Sequence, residues 1–166
     1  MDTNFKSNNN RLDWDDFFME QALVFSKRAT CNRLKVGAIF VSQDNLQLSE
    51  GYNGSLSGSS HCIDVGCLIN DQQRCIRTLH AEQNGVLNAM KKGVNVNGCK
   101  VYVTHEPCET CTKFLLQSGV SEIIYLKGYK NKYNSEFLKE SNVIFREFNG
   151  LNKDFLLSLE SDINKK

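Results

Sequence analysis

The feature that most constrains the fold is a regular alternation of predicted helices and strands from residue 80 onward. The sequence predicts helices over 80–91, 108–118 and 134–141, and strands over 100–104, 122–126 and 142–148. Strands separated by crossover helices pair in parallel, and the helices then cover both faces of the sheet. This part of the chain therefore predicts an α/β domain.

The residues before this alternation add an antiparallel pair. Strands are predicted over 36–42 and 46–53, and the turn signal Asp44-Asn45 between them indicates a hairpin. With the strands that follow, we expect a three-layer α/β/α domain built on a mixed sheet of about five strands.

Helices are predicted at both ends of this domain. Asp13 can cap a helix over 14–30, in which Phe17, Ala22, Phe25 and Ala29 fall close to one face. The last 16 residues, "LNKDFLLSLESDINKK", predict an amphipathic terminal helix. The chain of 166 residues suits one core, so we expect a flexible polar segment over 1–12 and a single domain over 13–166.

Composition narrows the class of protein. The formal net charge of +1 provides no broad basic field for long nucleic acid, so a small-molecule substrate fits better. The first ten residues resemble no signal peptide, and no apolar run reaches membrane-spanning length, so we expect a cytoplasmic protein without a membrane partner. Seven cysteines in a reducing compartment are metal ligands or buried thiols before they are disulfides.

A Cys-x-x-Cys pair follows the chain's single proline, Pro107. Cys108 and Cys111 lie three residues apart on a predicted helix, so both thiols can grip one ion. Proline suits the first helical turn, and the positive end of the helix favours the thiolates that a metal needs. The pair therefore predicts two metal ligands.

His80 and Glu82 complete the pattern. His80 opens a predicted helix after a candidate cap, Thr78, and supplies a third ligand, so that a tetrahedral zinc keeps one position for water. Glu82, in the first turn, can carry a proton from that water to a leaving nitrogen. Alone, Cys-x-x-Cys is more typical of a structural zinc or a redox pair, but His-x-Glu followed by Pro-Cys-x-x-Cys matches the zinc nucleobase deaminases.

Longer stretches extend this match. The segments "RATCNRLKVGAIFVS", "GYNGSLSGSSHCIDVGC", "CIRTLHAEQN" and "VYVTHEPCETCTKFLLQSGVSEIIYLKGY" resemble the deoxycytidylate (dCMP) deaminases, including the late-competence proteins, from Trp14 to Phe148. The resemblance implies a cytidine deaminase-like fold and zinc-dependent hydrolysis of dCMP to dUMP and ammonia, which supplies thymidylate synthesis. It also implies a homohexamer activated by dCTP and inhibited by dTTP.

The resemblance further implies residues for the substrate. Asn53 matches a position that contacts the sugar, and Tyr129 matches an aromatic residue of the nucleotide pocket. Asn53 as a left-handed turn residue and Tyr129 as core packing remain alternatives. His105 can line the pocket or complete a loop. Four basic residues near the predicted site are candidate hydrogen-bond donors to the 5′-phosphate, and the sequence does not distinguish among them: Arg33, Lys35, Arg77 and Lys130.

Residues 54–78 form a long predicted loop that carries a second group of cysteines. Some relatives bind a structural zinc through positions that resemble Cys31 and Cys62, and Cys67 and Cys75 would complete four thiolates here. Buried free thiols are the alternative. Cys99 is interpreted as packing.

Two other functions stay open. The chain can be a deaminase of tRNA adenosine, of polynucleotide cytidine, or of free nucleosides or bases. A polynucleotide enzyme would need basic and aromatic surface. A non-catalytic zinc module would instead need a fourth protein ligand at the ion and would leave Glu82 without a role.

Overall fold

The computed structural model describes residues 11–128 and 133–165. In chain order its elements are α1 (Trp14–Ser26), β1 (Gly37–Val41), β2 (Gln47–Tyr52), β3 (Gly54–Ser55), α2 (Cys62–Val65), β4 (Thr78–Leu79), α3 (Ala81–Lys92), β5 (Lys100–His105), α4 (Glu109–Gln117), β6 (Glu122–Lys127), α5 (Asn134–Lys139), β7 (Ile144–Glu147) and α6 (Lys153–Ile163). The predicted flexible segment lies, for residues 1–10, outside the described residues.

Within residues 11–128 and 133–165, the main sheet has five strands in the order β2-β1-β5-β6-β7. β1 pairs antiparallel with β2 and with β5, whereas β5, β6 and β7 run parallel. The hairpin and the crossover helices therefore give the mixed sheet that the sequence predicts. A smaller two-stranded sheet, β3 with β4, lies within the region predicted as a loop.

Helices cover both faces of the main sheet. On one face, Ala81 and Val86 of α3 and Leu115 of α4 pack with Phe40 and Val103 of the sheet. On the other face, residues of α1 and α6 pack with alternate strand residues: Phe18, Met19, Ala22, Leu23 and Leu156 against Ile39, Val41, Tyr102, Ile124 and Leu126. All five residues of β1 are buried, as expected of a strand covered on both sides. The three-layer α/β/α prediction is confirmed.

Helix α1 differs from its prediction. Asp13 does cap it, because its side chain accepts the N–H of Asp15 at 3.0 Å. The helix ends at Ser26, four residues early, and the Ser26 hydroxyl donates to the Leu23 carbonyl there. The predicted apolar face was also wrong in part, since Phe17 is 39% exposed.

The approach of α3 to the sheet depends on Gly51. A Cβ at this position of β2 would lie 2.1 Å from the Ala81 carbonyl oxygen and 2.5 Å from the Gly85 nitrogen. Only glycine therefore lets the start of α3 lie this close to the sheet. Within the described residues, every helix is too short or too polar to cross a bilayer.

Candidate active site

The start of α3 and the start of α4 bring the predicted ligands together. His80 is the N-cap residue of α3, Cys108 is the N-cap residue of α4, and Cys111 lies in the first turn of α4. Thr78, the predicted cap, instead belongs to β4, and Pro107 precedes the helix that it was predicted to enter. Histidine and cysteine are not preferred N-cap residues, and such local exceptions are typical of functional sites.

The three donor atoms are spaced for one ion. The Nδ1 atom of His80 lies 3.3 Å from the Sγ of Cys111 and 3.6 Å from the Sγ of Cys108, and all three atoms lie within 4.8 Å of one another. Ligand atoms on a tetrahedral zinc, with its usual bond lengths, are about 3.5 Å apart. One imidazole and two thiols therefore fit zinc.

Hydrogen bonding in this cluster favours a thiolate. The hydrogen bond from Cys111, together with one from His80, lowers the pKa of Cys108 to about 4. The same bond to Cys108 raises the pKa of Cys111, and the bond between His80 and Cys108 raises the pKa of His80. At neutral pH the cluster thus offers a charged sulfur to a cation.

Glu82 lies beside this cluster, in the first turn of α3. It is 3% exposed, and burial raises the pKa of its carboxyl group. A buried carboxyl with a raised pKa can both accept and return a proton near neutral pH.

Glu82 opens onto a cavity of about 500 Å³, a size that suits a small ligand. The walls come from the segment after α1, the end of β2, the loop before β4, the start of α3 and the end of β5. They are lined by Cys31, Arg33, Leu34, Val36, Asn53, Gln72, Gln73, Arg74, Cys75, Thr78, His80, Ala81, Glu82, His105, Glu106 and Cys108.

Of the candidate substrate residues, Asn53 lies in the pocket wall and is 7% exposed. Its Oδ1 accepts the N–H of Val36 and its Nδ2 donates to the carbonyl of Leu34, both at 2.7 Å. Among the described non-glycine residues, left-handed backbone occurs at Asn45 and Gln73, so Asn53 is not the left-handed turn residue of the alternative interpretation. Its amide instead fixes the wall that follows α1.

The candidate phosphate donors differ in their position relative to the pocket. Arg33 lines the pocket and its Nη1 donates to the Gln73 carbonyl at 2.8 Å. Lys35 and Arg77 are not among the lining residues, and the Nε of Arg77 donates instead to the Gly66 carbonyl. Tyr129 and Lys130 lie outside the described residues.

Sequence reasoning missed Arg74. It lines the pocket, and its Nη1 lies 3.0 Å from Oε1 of Glu109. Arg74 stands in the Cys-rich loop, and no periodic pattern marks which residues of that loop face the cavity. Its position next to Cys75, a candidate metal ligand, is the one feature of the sequence that could have indicated that Arg74 lies near a functional site.

His105, at the end of β5, lines the pocket with a side chain that is 12% exposed. Its Nδ1 lies 3.1 Å from the Thr104 hydroxyl, and its Nε2 lies 3.0 Å from Oε1 of Glu160. Burial lowers the pKa of His105 despite that carboxylate, so the ring is neutral at pH 7. The pocket-lining interpretation of His105 therefore fits the structure.

A second cluster contains Cys31, Cys62, Cys67 and Cys75, whose sulfurs all lie within 4.8 Å of one another. Backbone N–H groups point at these sulfurs, including Arg33 N at 3.5 Å from the Sγ of Cys31. Burial opposes ionisation of Cys75, but backbone hydrogen bonds lower its pKa to about 7. Burial raises the pKa of Cys62 to about 12. Four sulfurs with N–H donors fit a closed zinc site.

The remaining cysteine, Cys99, is 1% exposed and belongs to the hydrophobic core beneath α3 and α4. It lies in neither thiol cluster. Its interpretation as packing fits this position.

Comparison with known proteins agrees with this geometry. The sequence profile described as the cytidine and deoxycytidylate deaminase zinc-binding region matches residues 12–127. ComE operon protein 2 of Bacillus subtilis is 42% identical over 80% of this chain and 70% of its own length. Deoxycytidylate deaminase of Schizosaccharomyces pombe is 32% identical over 83% of this chain, which spans 45% of that protein.

A solved structure is also similar. The dCMP deaminase of the cyanophage S-TIM5, determined in complex with dCMP and dUMP, superposes with a TM-score of 0.70. It is 31% identical and matches 80% of this chain and 95% of its own. The profile, the relatives and the paired His-x-Glu and Pro-Cys-x-x-Cys segments place this chain in the zinc-binding cytidine and deoxycytidylate deaminase family.

Proposed function

We propose that this protein hydrolyses dCMP to dUMP and ammonia and so supplies dUMP for thymidylate synthesis. The observation that carries the proposal is a buried carboxyl group, Glu82, which lines a pocket of about 500 Å³ beside a cluster of three zinc-type ligands. The names of the relatives and the nucleotides bound by the cyanophage enzyme support dCMP as substrate.

His80, Cys108 and Cys111 would hold the zinc ion. A zinc ion with three protein ligands supplies Lewis-acid activation of a water molecule near pH 7. A non-catalytic module would need a fourth protein ligand, and the described residues provide three in this cluster.

Glu82 would move the protons. Hydrolysis adds the oxygen of water to the ring carbon that bears the amine, and the C–N bond to that amine breaks. The carboxylate takes the two protons of the water in turn, delivers one to the ring nitrogen, where it remains in dUMP, and delivers the other to the departing amine, so that ammonia leaves. Because Glu82 is buried, its proton stays in the site.

The pocket walls would select the nucleotide. The Asn53 amide has one N–H left after its bond to Leu34, and this donor suits a sugar hydroxyl. Arg33 and Arg74 line the pocket and are the described arginines placed to meet a 5′-phosphate. Tyr129 remains a candidate for the nucleotide pocket.

The four-thiol cluster would bind a second zinc that takes no part in the chemistry. It joins Cys31, after α1, to Cys62, Cys67 and Cys75, and so holds the loop that carries Arg74 against the pocket. A closed site of this kind stabilises a loop that has little core of its own. Zinc analysis should find two ions per chain, and a value near one would contradict the second site.

The activity is tested by the change in absorbance on deamination of dCMP. Glu82→Gln should lower turnover by about 10²–10⁴-fold and retain zinc, since Glu82 is a proton carrier and not a ligand. The control Glu136→Gln alters an exposed pair with Lys139 and should leave turnover unchanged. Undiminished turnover in Glu82→Gln would refute the mechanism. Preferential turnover of deoxycytidine, of single-stranded oligonucleotide or of tRNA adenosine would redirect the assignment.

Regulation and assembly complete the proposal. We propose a cytoplasmic homo-oligomer, a hexamer in the family pattern, with dCTP and dTTP as effectors. Light scattering of the zinc-loaded protein, with and without each nucleotide, measures the assembly. Turnover of dCMP at fixed dCTP or dTTP concentration measures the regulation.

A further inference from the structure

Helix α6 lies on the face of the sheet opposite α3 and α4, yet residues of its last turns contact His105, which lines the pocket, and Lys35, which stands between two lining residues. The first of these residues is Glu160, whose side chain is 2% exposed. Its Oε1 lies 3.0 Å from Nε2 of His105. Its Oε2 accepts a hydrogen bond from Nζ of Lys127 at 2.7 Å. His105 and Lys127 are paired residues at the ends of the parallel strands β5 and β6.

A buried carboxylate is costly unless it is paired, so the position of Glu160 needs both partners. Lys127 is 49% exposed and remains accessible to water, whereas His105 has its other nitrogen 3.1 Å from the Thr104 hydroxyl. That hydroxyl in turn accepts the N–H of Gly37. The His105 ring therefore lies between Thr104 of its own strand, at Nδ1, and Glu160 of α6, at Nε2. The 3.0 Å approach of Nε2 to Glu160 is a close polar contact without the geometry of a hydrogen bond.

Asn164, one helical turn beyond Glu160, contacts a second segment of the pocket wall, at Lys35. Its Oδ1 accepts the N–H of Lys35 at 2.7 Å, and its Nδ2 donates to Oε1 of Glu160 at 2.9 Å. Lys35 stands between Leu34 and Val36, which both line the pocket. One end of α6 thus fixes two separate segments of the pocket wall.

We propose that Glu160 and Asn164 are positioning residues of the substrate pocket, acting through His105 and the segment 34–36. The inference rests on the proposed dCMP deaminase function. It concerns a helix that follows residue 127, the last residue matched by the family profile. It assigns to α6 a part in substrate affinity, in addition to its part in the core.

The test uses the full chain loaded with zinc. Glu160→Ala frees the His105 ring, and we expect the KM for dCMP to rise about tenfold with kcat changed much less, because the chemistry at Glu82 is untouched. Glu160→Gln keeps an acceptor toward His105 and should restore most of the KM. Asn164→Ala, which leaves no buried charge unpaired, should also raise KM and decides the question if Glu160→Ala does not fold.

Leu156→Ala is the matched control. It removes a fully buried side chain from the same helix and destabilises α6 without touching the pocket. A KM that rises as much in Leu156→Ala as in Glu160→Ala, or a KM within twofold of wild type in both Glu160→Ala and Asn164→Ala, would overturn the proposal.

A spectroscopic measurement, which does not require turnover, tests the role of Glu160 independently of the proposed deaminase activity. In ¹⁵N spectra of the histidine rings, the two His105 nitrogens should report one tautomer in the wild type and an averaged pattern in Glu160→Ala. Unchanged His105 signals would contradict the positioning role even in an active enzyme. A wild type that fails to deaminate dCMP would refute the proposed function, while the ring signals would still decide whether Glu160 orients His105.

Discussion

Replacement of Asn53 by alanine should destabilise the protein by about 2–3 kcal/mol. The Asn53 amide satisfies two backbone groups, the Val36 N–H and the Leu34 carbonyl. An unsatisfied buried group costs about 1–3 kcal/mol, and since both groups are only partly buried, we take about 1–1.5 kcal/mol for each. Because the N–H must face Oδ1 and the carbonyl must face Nδ2, the orientation of the amide is fixed.

Urea unfolding of the zinc-saturated protein measures this loss. With a slope of about 2 kcal/mol per molar urea, the midpoint should fall by about 1–1.5 M. Asn88→Ala is the control, because the Asn88 side chain makes a single bond of this kind, to the Glu50 carbonyl. Since alanine also favours the helix in which Asn88 lies, this variant should lose less than about 1 kcal/mol of stability. The reasoning is refuted if Asn53→Ala loses no more stability than Asn88→Ala.

Three further outcomes are expected. Arg33→Ala should raise the KM for dCMP about tenfold or more and leave that for deoxycytidine unchanged, and equal effects on both substrates in steady-state assays would exclude a phosphate contact. Cys67→Ser should lower bound zinc from two ions to one by mass spectrometry, whereas Cys99→Ser should retain both; two ions retained in Cys67→Ser would exclude Cys67 as a ligand of the second zinc. Gly51→Ala places a methyl group 2.1 Å from the Ala81 carbonyl oxygen, so its melting temperature should fall by several degrees, and an unchanged value would mean that α3 can shift freely.

The fold could be predicted because its signals are local. Asp44-Asn45 sets the hairpin, and Asn45 adopts the left-handed backbone, φ 60°, that such a turn uses. A helix that connects two successive strands returns the chain to the end of the sheet from which the first strand started. The second strand therefore runs parallel to the first. The same signals predicted that His80 and Cys108 stand at helix starts, and the structure brings those starts together.

Residues whose role depends on distant partners could not be predicted. Glu160 looks like any acidic residue of an amphipathic helix until α6 packs and carries it under His105, 55 positions earlier in the chain. Arg74 faces the pocket because the loop around it folds on the four-thiol cluster, and that folding has no sequence period. The buried face of α1 was misjudged since its many apolar residues, including the exposed Phe17, allow more than one face.

The starts of α3 and α4 contain two acids, Glu82 and Cys108, whose pKa values move in opposite directions. Both acids lie where the helix dipole favours negative charge. Cys108 accepts hydrogen bonds from Cys111 and His80, and its pKa falls to about 4. Glu82 is withdrawn from water, and the cost of a buried charge outweighs the dipole, so its pKa rises. Hydrogen bonds at Cys108 and burial at Glu82, and not position on the helix, thus separate a group suited to hold a cation from one suited to exchange a proton.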